Sequence, residues 1–163
     1  MTEPTRFAPE VAEVLTGAGW QPGRSAERQT EDAVRMLERM TGRRGARHRS
    51  FPAAVDVLTE FGGLHVMQDG PGEDVRRRPF AIDPTRAAAT TETLADLGRL
   101  LGVRLFPIGF EGDDDALLAV DERGRVFALD HAGEWYLGGS IDEALTALVS
   151  GTMPARVRDD GTW

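Results

Sequence analysis

No cysteine, lysine or asparagine occurs anywhere in this sequence. Without cysteine there is no structural disulfide, no thiol nucleophile and no thiolate metal site. Without lysine a Walker-type phosphate loop cannot be completed, and all 19 basic residues are arginine. Long apolar runs are also missing. One of the most apolar stretches, Ala116-Leu117-Leu118-Ala119-Val120, falls far short of the roughly 20 residues a membrane-spanning helix needs. The opening residues MTEPTRFAPEVAEV carry neither a basic n-region nor an apolar h-region. No signal peptide is therefore expected, and the expected location is the cytoplasm. The patterns G-x-G-x-x-G, H-E-x-x-H and G-x-S-x-G do not occur, so the chain lacks these dinucleotide, zinc-protease and serine-hydrolase signatures.

What is present is an ordinary globular composition: 163 residues, 40% hydrophobic and 28% charged. That length suits one domain with a core of its own, read here as a single domain over 1–163 with its core in 10–151 and a loosely ordered polar tail over 152–163. The formal charge of −8 and the acidic pI of about 4.9 disfavour nucleic acid as a partner, because an acidic chain repels phosphate backbones.

Hydrophobic spacing predicts helices from Pro9 (Val11, Val14, Leu15), from about Thr30 to Gly42 (Ala33, Val34, Leu37, Met40), after Ser50 as N-cap (Ala54, Val55, Leu58, Phe61) and around Leu94, Leu97 and Leu101. Short strands are expected at Leu64–Val66 and Phe80–Ile82. From Arg104 the pattern changes. Arg104–Phe110, Ala116–Val120, Arg125–Leu129 and Glu134–Leu137 read as four strands of an antiparallel meander, linked by short glycine-bearing turns. Ser140 and Glu143 form a capping box for a last helix that Gly151 ends. The order predicts an α+β fold: a curved antiparallel sheet with flanking helices.

Chemistry-bearing constellations are scarce. His48, His65 and His131 have no partners at metal or triad spacing and read as scattered surface residues. Asp113-Asp114-Asp115 lacks the D-x-D-x-D-G loop and the terminal bidentate Glu of a calcium site, so no metal is expected. Ser140 reads as a cap, not a nucleophile. The arginine clusters at 43–49 and 76–78 have no interleaved aromatics for base stacking and read as solvated loops. No cofactor and no catalytic residue are expected.

Several stretches in order carry a resemblance: Gly19-Trp20-x-Pro-Gly-Arg24; Phe51-Pro-Ala-Ala followed by Leu58-x-x-Phe-Gly-Gly-Leu64; Phe80-x-Ile-Asp-Pro84; Leu105-Phe-Pro-Ile-Gly109; Leu118-x-Val-Asp-x-x-Gly-Arg-Val-Phe127; and Gly138-Gly-Ser-x-x-Glu-Ala-Leu145. The chain resembles the SUKH superfamily, and within it the third group of bacterial immunity proteins. The resemblance implies an α+β fold. It also implies a non-catalytic protein that binds and blocks a cognate toxin, typically a nuclease or nucleic-acid deaminase. An interaction or scaffold domain without a toxin partner is the alternative, and a hydrolase built on Asp113–Asp115 a remoter one. The family supplies no catalytic residue, and the resemblance leaves oligomeric state open.

Charge suggests where a toxin would bind. Between Phe110 and Leu145 lie ten acidic residues and two arginines, while the rest of the chain holds seventeen of each sign. The whole net charge thus maps to the meander, where an acidic surface could occupy the basic cleft of a nucleic-acid-acting toxin. The expected contact residues are Glu111, Asp113, Asp114, Asp115, Asp121, Glu122 and Glu134. Trp135 or Tyr136 would add an aromatic anchor, since alternation turns one of the two outward.

Overall fold

The computed structural model describes residues 5–113 and 115–163. Its centre is a seven-stranded antiparallel sheet whose strands follow sequence order: β1 (His65–Val66), β2 (Phe80–Ala81), β3 (Leu105–Glu111), β4 (Ala116–Asp121), β5 (Val126–Asp130), β6 (Gly133–Gly138) and β7 (Ala155–Arg156). Helices α1 (Pro9–Gly17), α2 (Glu27–Glu38) and α3 (Pro52–Phe61) precede it. A 3₁₀ helix (Pro84–Thr90) running into α4 (Thr91–Leu101) interrupts it, and α5 (Ile141–Ser150) lies between β6 and β7. The α+β architecture and the meander are those the hydrophobic pattern predicts.

Every residue of β4 is buried, because both faces of the sheet are covered. On one face Phe106, Ile108, Leu118, Val120, Val126 and Ala128 pack with Leu15, Leu58, Phe61 and Leu145 of α1, α3 and α5. On the other, Leu105, Leu117, Ala119, Phe127 and Leu129 pack with Ala87, Leu94 and Leu97. The period-two alternation of the strands deals successive side chains to the two cores.

The residues behind the resemblance have identifiable structural work. Arg24 donates to the carbonyls of Glu60 and Gly62, both at 2.8 Å, and so satisfies backbone acceptors at the C-terminal end of α3. Trp20 packs edge-on to Phe7 and parallel to Phe61. Gly109 sits beside a bulge in β3, where a Cβ would overlap the Ala81 carbonyl oxygen, so the β2–β3 approach requires glycine there. Gly102 and Gly151 end α4 and α5 at φ of 71° and 68°, in the left-handed region that favours glycine. Ser140 caps α5 as expected, its Oγ accepting from Glu143 N at 3.2 Å, while Glu143 Oε2 accepts from the amide of Gly139 at 2.7 Å, one residue before the Ser140 amide that a capping box uses.

Four local expectations are corrected. Helix α2 starts at Glu27 and ends at Glu38. Ser50 does not cap α3. Its amide and hydroxyl both donate to Glu38 Oε1, at 2.9 and 2.8 Å, which ties the connector to the end of α2 instead. His48 is not a surface residue, being only 2% exposed. The segment 152–163 is not a loose tail. It forms β7 against β6, buries Val157, and stacks Trp163 on Tyr136 with ring centroids 4.5 Å apart.

Candidate partner-binding surface

A meander places consecutive hairpins at opposite ends of its sheet. The β3–β4 and β5–β6 turns share one end, and the β4–β5 turn lies at the other, a six-residue strand or roughly 20 Å away. The acidic set expected from the sequence is therefore divided. Glu111, Asp113, Asp115, Glu134 and Trp135 belong to the first end, Asp121 and Glu122 to the second. Asp114 lies outside the described residues.

Asp121 is corrected outright. It is 0% exposed, so it cannot be a contact residue. Its Oδ1 accepts from the amides of Arg123 (2.9 Å) and Arg125 (3.0 Å), and its Oδ2 accepts from Arg125 Nε at 2.6 Å. It holds the β4–β5 turn together. Glu122 is engaged by Arg104, whose amide donates to Oε1 at 2.7 Å and whose guanidinium lies 3.4 Å from Oε2. The Arg104 amide, and then its side chain, hold the Glu122 carboxyl below its usual range.

At the first end Arg78 reaches across from the loop before β2 and pairs with Glu111 at 2.8 Å and Asp115 at 3.3 Å. Asp130 accepts from the amides of Ala132 and Gly133 and from Trp135 Nε1 at 3.1 Å. Among the described residues there, Asp113, Asp130 and Glu134 make no ion pair, and of these only Asp130 is held by side-chain hydrogen bonds. The acidic excess counted along the chain is thus partly neutralised in space by arginines from outside that window.

Trp135 and Tyr136 point to opposite faces. Tyr136 lies under Trp163 and edge-on to Phe127, which makes it part of a covered cluster. Trp135 is half-buried on the α5 face, with the Arg156 guanidinium 5.6 Å from its ring centroid. It lines a cleft of about 320 Å³ together with Leu137, Leu148, Met153, Val75 and Asp130. One wall is the 70–78 loop. The amides of Glu73, Asp74 and Val75 donate at 2.9 Å to the carbonyls of Ser150 and Gly151, so the loop satisfies the open carbonyls at the end of α5. Nothing in the residues of that loop beyond their polarity signals this docking. Met153 (59% exposed), in the lining of this cleft, stands open to solvent, and Met67 (84%) lies with Asp113 in a separate hollow beside Phe80 and Phe110.

Among the described residues no group of three or more metal-binding side chains could hold an ion, and no helix is long and apolar enough to cross a membrane. What the site presents is a shallow, mainly apolar cleft with an indole wall and a mixed charged rim of Arg76, Arg78, Glu111 and Asp130, the makings of a protein-contact surface. Comparison with known proteins agrees with that class. The SUKH-3 immunity protein family model matches residues 7–151, and the chain belongs to that family. Its sequence is also similar to a phosphoglucosamine mutase of Parasynechococcus marenigrum (strain WH8102), 33% identical over 108 residues. That match spans 64% of this chain but only 21% of the mutase. No solved structure matches significantly.

Proposed function

We propose that this protein is a non-catalytic, cytoplasmic immunity protein that neutralises one cognate toxin by binding it. The observation that carries this reading is the family match over 7–151. The toxin's proposed chemistry, a nuclease or nucleic-acid deaminase, is what the resemblance to the family implies, and the chain's charge of −8 suits the basic cleft of such a toxin. The proposed contact surface is the sheet end that carries Asp113, Glu134, Trp135 and the exposed Met67 and Met153. There a half-buried indole supplies an anchor, and unpaired carboxylates supply steering charge.

The mutase similarity brings no activity here, because it covers about a fifth of that enzyme. The scaffold alternative is separated by one experiment. Tagged protein is used to capture its partner from the source bacterium, the partner is identified, and its isolated toxic domain is expressed with and without this chain. A basic nuclease or deaminase whose toxicity is abolished supports immunity. A regulatory or cell-wall protein as the sole specific partner overturns it.

A further inference from the structure

Another concavity, of about 310 Å³, lies at the other end of the sheet between the 43–49 connector, α4 and the start of β3. Its lining includes Arg47, Arg49, Arg99 and Arg104, and no carboxylate. In a chain of net charge −8 this is a local excess of positive charge facing one cavity. Arg99 pairs with Asp96 and Arg104 with Glu122. Arg47 and Arg49 make no ion pair among the described residues, and both are exposed. Two arginines without an ion pair therefore line the cavity.

The connector that carries them is fixed. Thr41 and Arg47 form an antiparallel bridge, the Gly42 amide donates to the Ala46 carbonyl at 2.7 Å, and the Arg44 amide donates to Glu92 Oε1 at 2.6 Å. Between the two free arginines His48 turns inward, with Nε2 donating to the Ala87 carbonyl at 3.2 Å and its ring edge-on to Phe106 at 6.0 Å. That anchor pins both neighbouring backbones, so the arginines are held at the cavity mouth without a counter-charge. Besides His48 and Thr91, the remaining lining, Leu94, Ala95, Gly98, Val103 and Leu105, is apolar or small.

We propose that this cavity binds the phosphate group of a small phosphomonoester of nucleoside-monophosphate size. Two free guanidinium groups balance a phosphate dianion, where a lone carboxylate would leave one uncompensated. Arginine's planar donors also match phosphate oxygens in pairs. The cavity is much larger than a bare phosphate, and its apolar floor takes the organic part. This site is separate from the proposed toxin surface and does not depend on it.

The test is calorimetric titration of the full chain, at low salt, with adenosine monophosphate, inorganic phosphate and adenosine. The monophosphate binds tightest, phosphate weakly and adenosine not measurably. Arg47→Ser with Arg49→Ser weakens monophosphate binding by about a hundredfold, the loss of two charge-assisted contacts at roughly tenfold each. Arg123→Ser with Arg158→Ser removes the same charge outside the cavity lining and leaves binding unchanged. Thermal melts confirm that both pairs fold. Equal weakening by both pairs means diffuse charge attraction, and no binding, or adenosine bound as well as the monophosphate, means no phosphate site. Any of these overturns the proposal.

Discussion

Asp121 shows how far a residue's role can lie from its charge. In the sequence it is one more carboxylate in an acidic stretch. In the fold it is sealed, and it satisfies two backbone amides and a guanidinium at once. Asp121→Ala should destabilise the protein by about 3–5 kcal/mol, the cost of stranding a buried ion-pair partner. Chemical denaturation measures this, and a loss below about 1 kcal/mol would mean that the turn holds without it. His48 is the second such case. Burial pushes its pKa below 6.5, so the folded state disfavours the protonated ring. The unfolded chain then binds more protons, and stability rises with pH. His48's contribution is complete above about 6.5 and erodes as pH falls below it. Melts between about pH 5 and 7 should show that slope, and His48→Gln should flatten it in that window.

At the scale of elements, the C-terminal segment departs most from expectation. Val157 and Trp163 close the second core over Phe127 and Tyr136, and the Arg125 guanidinium lies 5.3 Å from the Trp163 ring centroid. Trp163→Ala should cost about 1–2 kcal/mol, from one aromatic stack and partial burial. Removing 155–163 should cost more, because it also strips β7 from β6. Thermal unfolding ranks the two variants. A truncation no more destabilising than Trp163→Ala would show that β7 adds nothing beyond the ring. The elements that were legible beforehand share a trait: their signals are local. The Ser140 cap of α5, the left-handed glycines and the period-two strands of the meander each depend on residues a few positions apart. The segment over 152–163 has no such signal, since its apolar residues acquire partners only after the sheet has formed.

At the scale of the molecule, topology redistributes charge. Among its described residues, the proposed toxin surface keeps Asp113 and Glu134 as carboxylates without a side-chain partner, with Trp135 in the cleft. Asp113→Arg with Glu134→Arg should slow association with the toxin about tenfold at low salt and much less at high salt, while Trp135→Ala should speed dissociation. A Glu122→Gln control, at the opposite end, should change neither. Surface plasmon resonance over a salt series separates these outcomes. Wild-type kinetics for the Asp113/Glu134 variant would place the contact elsewhere on the protein.

The net charge, the absence of thiol and lysine chemistry, the order of helices and strands, and the ordered motifs of the family were fixed by the sequence alone, because composition and short-range spacing do not depend on how the chain closes. Which carboxylates stay unpaired was decided only in three dimensions. Arg78 and Arg104 are distant in sequence from Asp115 and Glu122 respectively, and they meet them only because β3 lies between β2 and β4. Counting charges along a window records their number, while pairing depends on distance in space, which falls off within a few ångströms and is set by the sheet.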